Sequence, residues 1–213
     1  MSAFEPITRI TAVAAPLLRD NVDTDAIIPS REMKTTGKTG LAEGLFAGWR
    51  YSEPGGRTPR PDFVLNQLAF SGAKILLGGS NFGSGSSREH AVWALAEYGF
   101  RAVVAASFAP IFRGNCIRNG IVPAQIEKED VVELAAAVAA DPRSNLVTVD
   151  VARLCIGLPD GRRWSFALDP EAKAMLMEGL DAIDLTLKLG PEIAAFQARD
   201  RVERPWVYLG EEA

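Results

Sequence analysis

Short apolar runs, each closed by glycine or by polar residues, recur at regular intervals through the middle of the chain. Runs of this length predict buried strands, and the longer stretches between them have the spacing of helices. The predicted strands cover 73–77, 102–106 and 121–126, and the predicted helices cover 91–98, 108–118 and 128–140. A strand–helix–strand order implies parallel strands joined by right-handed crossovers, so the pattern predicts an α/β fold.

The pattern is less regular on both sides of this central part. Residues 7–18 predict one or two strands interrupted at Pro16, and 62–70 predicts a short helix. Between them, 30–49 is a long polar segment in which 41–46 can form a short helical turn. Further along, we predict a hairpin, whose two strands and turn cover 147–151, 162–167 and 158–161.

Length and composition indicate one folded unit. With 213 residues, of which 47% are hydrophobic, the chain can bury a sizeable core. We therefore expect a single domain over 1–213 with a C-terminal helical extension over about 169–213. Within the extension, 171–201 is predicted to be helical, with interruptions at Gly179 and at Gly190-Pro191.

Charge and hydropathy exclude several classes of partner. The net charge is −4 and the pI is about 5.2, so the basic surface that nucleic acids require is absent. No apolar run approaches the roughly 18 residues that cross a bilayer, and the N-terminus does not read as a signal peptide. We therefore expect a cytoplasmic protein without a membrane or nucleic-acid partner.

Metal-ligating side chains are scarce. The chain has one histidine, His90, and two cysteines, Cys116 and Cys155. Iron–sulfur clusters take typically four cysteines, and structural zinc takes four Cys or His ligands. This chain cannot complete either site alone, and we interpret His90 as structural and both cysteines as small core residues.

The richest stretch of the chain lies between the strand at 73–77 and the following helix. It combines glycines, which let a bound group approach the backbone, with Ser86, Ser87 and Arg88 near the helix start. Free N–H groups, the helix dipole and a planar cation favour an anion there, with Gly83, Ser84 and Gly85 offering backbone groups. The simpler alternative is a capping box, with Ser86 as N-cap and Glu89 at the third helical position.

Known nucleotide and hydrolase motifs do not fit this stretch. Arg88 stands where the third glycine of a dinucleotide fingerprint belongs, and the Gly-Lys-Ser/Thr of a Walker loop is absent. Neither Ser84 nor Ser86 has the frame of a hydrolase nucleophile elbow. A stand-alone anion- or nucleotide-binding module without catalysis therefore remains as an alternative of another class.

The same stretch carries a family resemblance. Residues 81–91, Asn-Phe-Gly-Ser-Gly-Ser-Ser-Arg-Glu-His-Ala, resemble the signature of the aconitase-type swivel domain, as found in the small subunits of bacterial 3-isopropylmalate dehydratases. Further segments match that family in the same order, so the resemblance covers nearly the whole chain. These segments are 20–29, 38–41, 61–66, 107–112 and 177–187.

The resemblance implies a fold and a reaction class. The fold is an α/β swivel domain with a β/β/α layered, barrel-like core and peripheral C-terminal helices. The activity is that of a hydro-lyase in leucine biosynthesis, which isomerises a 2-hydroxy dicarboxylic acid by dehydration and rehydration. It requires a large subunit, which carries a 4Fe–4S cluster, and the small subunit alone is inactive.

The resemblance also implies site residues. Ser86 carries over as the catalytic base, and Ser87 and Arg88 carry over as groups that bind a substrate carboxylate. Asp25 of the Thr-Asp pair faces the active site and supports a histidine of the partner. Lys38 and Thr39, on the loop that contacts the variable part of the substrate, are further substrate-binding candidates.

Two departures from the family pattern leave the substrate open. Glu32-Met33 stands where an aromatic-leucine pair is usual, and Lys38 stands where arginine is usual. A carboxylate near an apolar pocket is unexpected, and lysine lacks the two-pronged grip of arginine. A related hydro-lyase acting on citramalate or homoaconitate is therefore the alternative within this reaction class.

Overall fold

Two four-stranded sheets organise the chain in the computed structural model, which describes residues 4–34 and 37–208. One sheet is parallel, in the order β2-β3-β4-β5, and the other is antiparallel, in the order β1-β6-β7-β8. The strands are β1 Arg9–Ala12, β2 Ala14–Leu17, β3 Ile75–Gly78, β4 Ala102–Ala105, β5 Val122–Gln125, β6 Val147–Asp150, β7 Cys155–Gly157 and β8 Arg163–Ser165.

Eight α-helices accompany the sheets within the described residues. Those that follow β3, β4 and β5 are the three that the apolar pattern predicts, and they confirm the strand–helix alternation. The helices are α1 Thr24–Ile27, α2 Ala47–Arg50, α3 Glu89–Tyr98, α4 Pro110–Arg118, α5 Lys128–Ala140, α6 Pro170–Glu178, α7 Ala182–Leu187 and α8 Gly190–Glu203.

The first predicted strand region divides between the two sheets. The division falls at Val13 and not at Pro16, which lies inside β2 and opposite Leu77. Proline is tolerated there because β2 is the edge strand of the parallel sheet, so no ladder hydrogen bond is lost on its outer side.

The predicted hairpin between 147–151 and 162–167 is wrong, because a third strand lies between its two arms. β6 pairs with β7, and β7 pairs with β8 across the turn at 158–161. Cys155–Gly157 is only three residues long and ends in glycine, so it has no recognisable alternation. The pairing itself, and not the sequence pattern, identifies this strand.

Other local predictions need smaller corrections. Residues 62–70 form two short 3₁₀ turns, Val64–Asn66 and Leu68–Phe70, in place of a helix. The predicted interruption at Gly179 is confirmed, because this residue ends α6 in a left-handed conformation. Gly190-Pro191 begins α8 and does not interrupt it, since the first turn of a helix does not need the N–H that proline lacks.

One continuous cluster of buried apolar residues runs through both sheets, and Phe46, Phe82, Phe100 and Phe112 are its largest fully enclosed side chains. Cys116 lies wholly within this core, whereas Cys155 is only half-buried. No helix among the described residues is long and apolar enough to cross a membrane. The observed fold is therefore α/β, as the alternation of strands and helices predicts.

Candidate functional site

The glycine–serine turn joins the end of β3 to the start of α3, and its serines precede the helix. The capping-box prediction is wrong, because α3 begins at Glu89 and its N-cap is Arg88, without a side-chain cap. The Arg88 N–H donates to the Ser86 carbonyl oxygen at 2.7 Å. Gly83 and Gly85 have φ of +77° and +86°, which holds the turn out of helical geometry.

A distant segment, 20–25, lies alongside this turn and fixes its backbone. The Gly83 N–H donates to the Val22 carbonyl oxygen at 2.7 Å, and the Thr24 N–H donates to that of Ser84 at 2.9 Å. The Thr24 hydroxyl donates to the Ser86 carbonyl oxygen at 2.9 Å. The conformation of the turn is therefore fixed by hydrogen bonds to its backbone.

Two aspartates of this segment have different functions. Asp23 is the N-cap of α1 and accepts from the Ala26 N–H at 2.6 Å, so the local-turn interpretation holds for that residue. Asp25 instead forms an ion pair with the Arg88 guanidinium and accepts from the Ser30 hydroxyl. The hydrogen bond from Arg88 lowers the pKa of the Asp25 carboxyl.

Gly83 touches the aromatic core directly below the turn. A Cβ atom at Gly83 would lie 2.0 Å from Cγ of Phe112, far inside any allowed contact. Phe82 and Phe108 complete the aromatic group, with ring centroids 5.6 Å and 6.5 Å from that of Phe112. Only glycine fits at position 83, so the packing of Phe112 determines how closely the turn approaches the core.

A cavity of about 190 Å³ opens where the turn meets the start of α4. The turn at the N-terminus of α3 and the first residues of α4 both face it, so two positive helix ends and the Arg88 cation favour a small anion there. The lining residues are Thr24, Gly83, Gly85, Ser86, Ser87, Arg88, Ala109, Pro110, Ile111, Phe112 and Asn115.

Not all sequence-predicted site residues meet at this cavity. Ser86, Ser87 and Arg88 line it, and Asp25 reaches it through Arg88. Ser84 contributes to the turn through its backbone. The loop that carries Lys38 and Thr39 packs against a later part of α3, at Trp93 and Glu97. Neither Lys38 nor Thr39 lines the cavity.

Lys38 contacts groups other than those of the turn. Its Nζ donates to Oδ1 of Asn119 at 3.1 Å and lies 5.5 Å from the ring centroid of Trp93. A direct contact between Lys38 and a substrate carboxylate therefore stays a prediction.

Sequence reasoning missed the contribution of α4 to the cavity. Pro110, Ile111 and Phe112 line it, as does Asn115, whose side chain is buried. A signal was available, because helices that follow neighbouring parallel strands begin at the same edge of the sheet.

Glu32, the unexpected carboxylate, has a partner of its own. Its side chain is buried, and its Oε2 accepts from Nη2 of Arg57 at 2.7 Å. Arg57 also lies over the ring of Tyr51, at 5.0 Å from the centroid. Glu32 therefore anchors the loop that contains Arg57, and it is not among the residues that line the cavity.

Metal-ligating side chains do not cluster at the cavity or elsewhere among the residues that the structure describes. No group of three or more His, Cys, Asp or Glu side chains is arranged to hold a metal ion in the part of the chain that the structure describes. Burial raises the pKa of the Cys116 thiol, which disfavours the thiolate that metals need.

Comparisons with known proteins agree with this geometry. The profile of the aconitase C-terminal domain family matches residues 4–129. The 3-isopropylmalate dehydratase small subunit of Cupriavidus necator is 57% identical over 206 residues, which are 97% of this chain and 99% of that protein. Small subunit 1 of the same enzyme from Bordetella pertussis is 47% identical over 97% of this chain and 100% of its own length.

A solved structure agrees as well. The crystal structure of a 3-isopropylmalate dehydratase from Methanocaldococcus jannaschii superposes with a TM-score of 0.62 at 26% identity, covering 90% of this chain and 99% of that one. The chain therefore belongs to the aconitase C-terminal domain family and, within it, to the family of 3-isopropylmalate dehydratase small subunits.

Proposed function

We propose that this chain is the small subunit of a cytoplasmic hydro-lyase that converts 2-isopropylmalate to 3-isopropylmalate in leucine biosynthesis. The observation that carries the proposal is the serine–arginine turn at an anion-favouring cavity, in a chain 57% identical to such a subunit over nearly its full length. In this proposal residues 1–213 act as one swivel domain, with its helical extension over about 169–213, that closes over a large subunit.

Substrate binding falls to the residues beside the helix starts. Arg88 can grip a carboxylate with two parallel hydrogen bonds, and Ser87 can donate a third. Asp25 holds Arg88 in place through their ion pair. The two helix ends add donors and a favourable potential, so one carboxylate of the dicarboxylic acid is held where the turn meets α4.

Ser86 is the proposed base. Its deprotonated oxygen takes a proton from the carbon next to the one that carries the hydroxyl group, and water is lost. The proton and the hydroxyl group then return with their positions exchanged. A serine hydroxyl in water is far too weak an acid for this, so its pKa must fall in a closed site that stabilises the negative charge.

The exposure of Ser86 supports the need for a partner. In this chain the residue is exposed to solvent, and Arg88 is the nearest cation in the turn. The large subunit would exclude water and complete the site. Because one histidine and two cysteines are too few to complete a cluster, we place a 4Fe–4S cluster on the large subunit, where it would supply the Lewis acid for the hydroxyl group.

The position of Glu32 supports isopropylmalate as the substrate. Its carboxylate is neutralised by Arg57, and the cavity lining does not include it. The presence of Glu32 at this position therefore does not argue against a substrate with an apolar substituent. Lys38 in place of arginine still favours testing a smaller acid such as citramalate beside isopropylmalate.

The proposal is tested with the assembled enzyme. The chain is co-expressed with its large subunit, the cluster is reconstituted anaerobically, and the absorbance of the unsaturated intermediate is followed. We expect turnover of 2-isopropylmalate and a loss of at least about 10²–10⁴-fold in Ser86→Ala. The control Ser165→Ala changes an exposed serine of β8 and should retain full activity.

Other outcomes would point elsewhere. Turnover of citramalate alone would assign the related hydro-lyase. Tight phosphate binding by the isolated chain, without turnover in the assembled pair, would favour the stand-alone anion-binding module. Near-normal turnover in Ser86→Ala would eliminate Ser86 as the base.

A further inference from the structure

One face of α3 is lined by side chains that reach away from the helix. Glu89, Trp93 and Glu97 are spaced by four residues, so they lie above one another on the same face. Because α3 begins directly after Ser86-Ser87-Arg88, anything bound to this face is held at a fixed position relative to the serine–arginine turn.

Glu97 binds the backbone of the loop that follows Lys38 and Thr39. Its carboxylate accepts from three consecutive N–H groups, those of Gly40 at 2.6 Å, Leu41 at 2.5 Å and Ala42 at 2.9 Å. Desolvation raises the pKa of Glu97, but these donors outweigh it and the net pKa is lowered. The carboxylate is therefore charged, and each of its bonds is charge-assisted.

The loop is also held at its side chains. Leu41, the central residue bound by Glu97, buries its side chain completely. Asn119, at the end of α4, accepts from Nζ of Lys38 at 3.1 Å and from Nε1 of Trp93 at 3.0 Å, and its amide donates to Glu89 at 2.7 Å. The α3 face thus holds Lys38 on one side and the backbone of 40–42 on the other.

We propose that Glu97 is a positioning residue that sets the distance between the Lys38-Thr39 loop and Ser86–Arg88, and thereby the fit of the substrate's variable end. This rests on the proposed function, in which Ser87 and Arg88 bind a substrate carboxylate, and on the expectation that the Lys38-Thr39 loop contacts the variable part of the same substrate. A helix is stiff, whereas 37–40 is an exposed bend without regular structure. Among the contacts that hold this loop to α3, the Glu97 carboxylate accepts from three consecutive backbone N–H groups, and Asn119 adds the side-chain contact to Lys38.

The test compares Glu97→Gln with the parent chain in the assembled, cluster-loaded enzyme. Glutamine keeps the size of the side chain but loses the charge, and its NH₂ group would face N–H donors. Since hydrogen bonds to charged groups are the stronger ones, we expect KM for 2-isopropylmalate to rise about 10- to 100-fold, with kcat changed less than about threefold. Glu97→Asp keeps the charge and should recover part of the affinity.

Hydrogen exchange supplies the second readout. The amide protons of Gly40, Leu41 and Ala42 should exchange faster in Glu97→Gln, while the amides of α3 keep their protection. Glu129→Gln, which changes an exposed glutamate at the start of α5, is the matched control and should leave both KM and exchange unchanged.

Two results would overturn the proposal. The first is an unchanged KM in Glu97→Gln, whether or not thermal stability falls, because that outcome assigns Glu97 a structural role only. The second is exchange at 40–42 that does not respond to the substitution. Failure of the proposed function gives a different result, since the parent enzyme would then not turn over 2-isopropylmalate while the exchange rates would still report the anchoring.

Discussion

The turn at 83–88 and the terminal helices α7 and α8 are held in place in opposite ways. The turn is contacted by the 20–25 segment on one side and by Phe112 below. The terminal helices expose much of their apolar surface, with Ile183 at 70% and Phe196 at 50% relative exposure. They are held in part by local contacts, such as the ion pair between Asp200 of α8 and Arg204, the residue directly after the helix.

The two regions therefore owe their conformations to different interactions. The conformation of the turn follows from core packing and from long-range hydrogen bonds, so a change there should affect the whole fold. The conformation of the terminal helices follows from helical hydrogen bonds and nearby side chains, so a change there should stay local. Matched substitutions in the two regions test this directly.

The largest difference is expected for two phenylalanines. Phe112→Ala removes a buried ring beneath the turn, and we expect a loss of about 3–5 kcal/mol in the free energy of unfolding. Phe196→Ala removes a ring that is half exposed on α8, and we expect a change below about 0.5 kcal/mol. Urea denaturation followed by circular dichroism measures both, and equal losses would contradict the comparison.

A smaller difference is expected for two glycines. Gly83→Ala places a Cβ against Phe112 at a positive φ, so we expect a loss of about 2–3 kcal/mol. Gly190→Ala at the start of α8 meets no atom within 4 Å, and we expect a change within about 0.5 kcal/mol.

A double-mutant cycle sharpens the glycine test. If the clash with the ring causes the loss, Gly83→Ala should cost less when Phe112 is already alanine. Additive losses in the double variant would mean that the positive φ, and not the contact with Phe112, dominates.

The smallest effects concern two carboxylates with lowered pKa values. Arg88 lowers the pKa of Asp25, and Arg204 lowers the pKa of Asp200, both from an ordinary value of 3.8. Because the folded values lie below the unfolded value, each pair stabilises the fold above pH 3.8 and loses that contribution as the pH falls further.

Replacing each arginine in turn tests whether the two carboxyl groups titrate independently. Arg88→Met should raise the pKa of Asp25 towards 3.8 and leave Asp200 unchanged, and Arg204→Met should do the reverse. Carboxyl ¹³C chemical shifts followed by NMR between pH 2 and pH 6, a range of about two units on either side of the ordinary value, measure both titrations. Movement of both carboxyls in either variant would show that the two regions are coupled.

Much of the fold was accessible from local pattern. The three central strands and helices were predicted within one or two residues, because their apolar runs are closed by glycine and polar residues. Strand β7 was not predicted, because its three residues are too few to show an alternation of apolar and polar positions. The alternative of a capping box formed by Ser86 and Glu89 fails, because a hydrogen bond from Thr24 holds Ser86 outside α3, which begins at Glu89.

Residue identity and short-range spacing are enough to predict the alternation of strands and helices, the glycine–serine–arginine turn and the shortage of ligands for a cluster. These depend on residue identity and on spacings shorter than one element. The packed structure is needed to show that Asp25 meets Arg88 across 63 residues, that Arg57 neutralises Glu32, and that Lys38 donates to Asn119. Such pairs depend on how whole elements pack, and that is set by the summed burial of the core rather than by any local pattern.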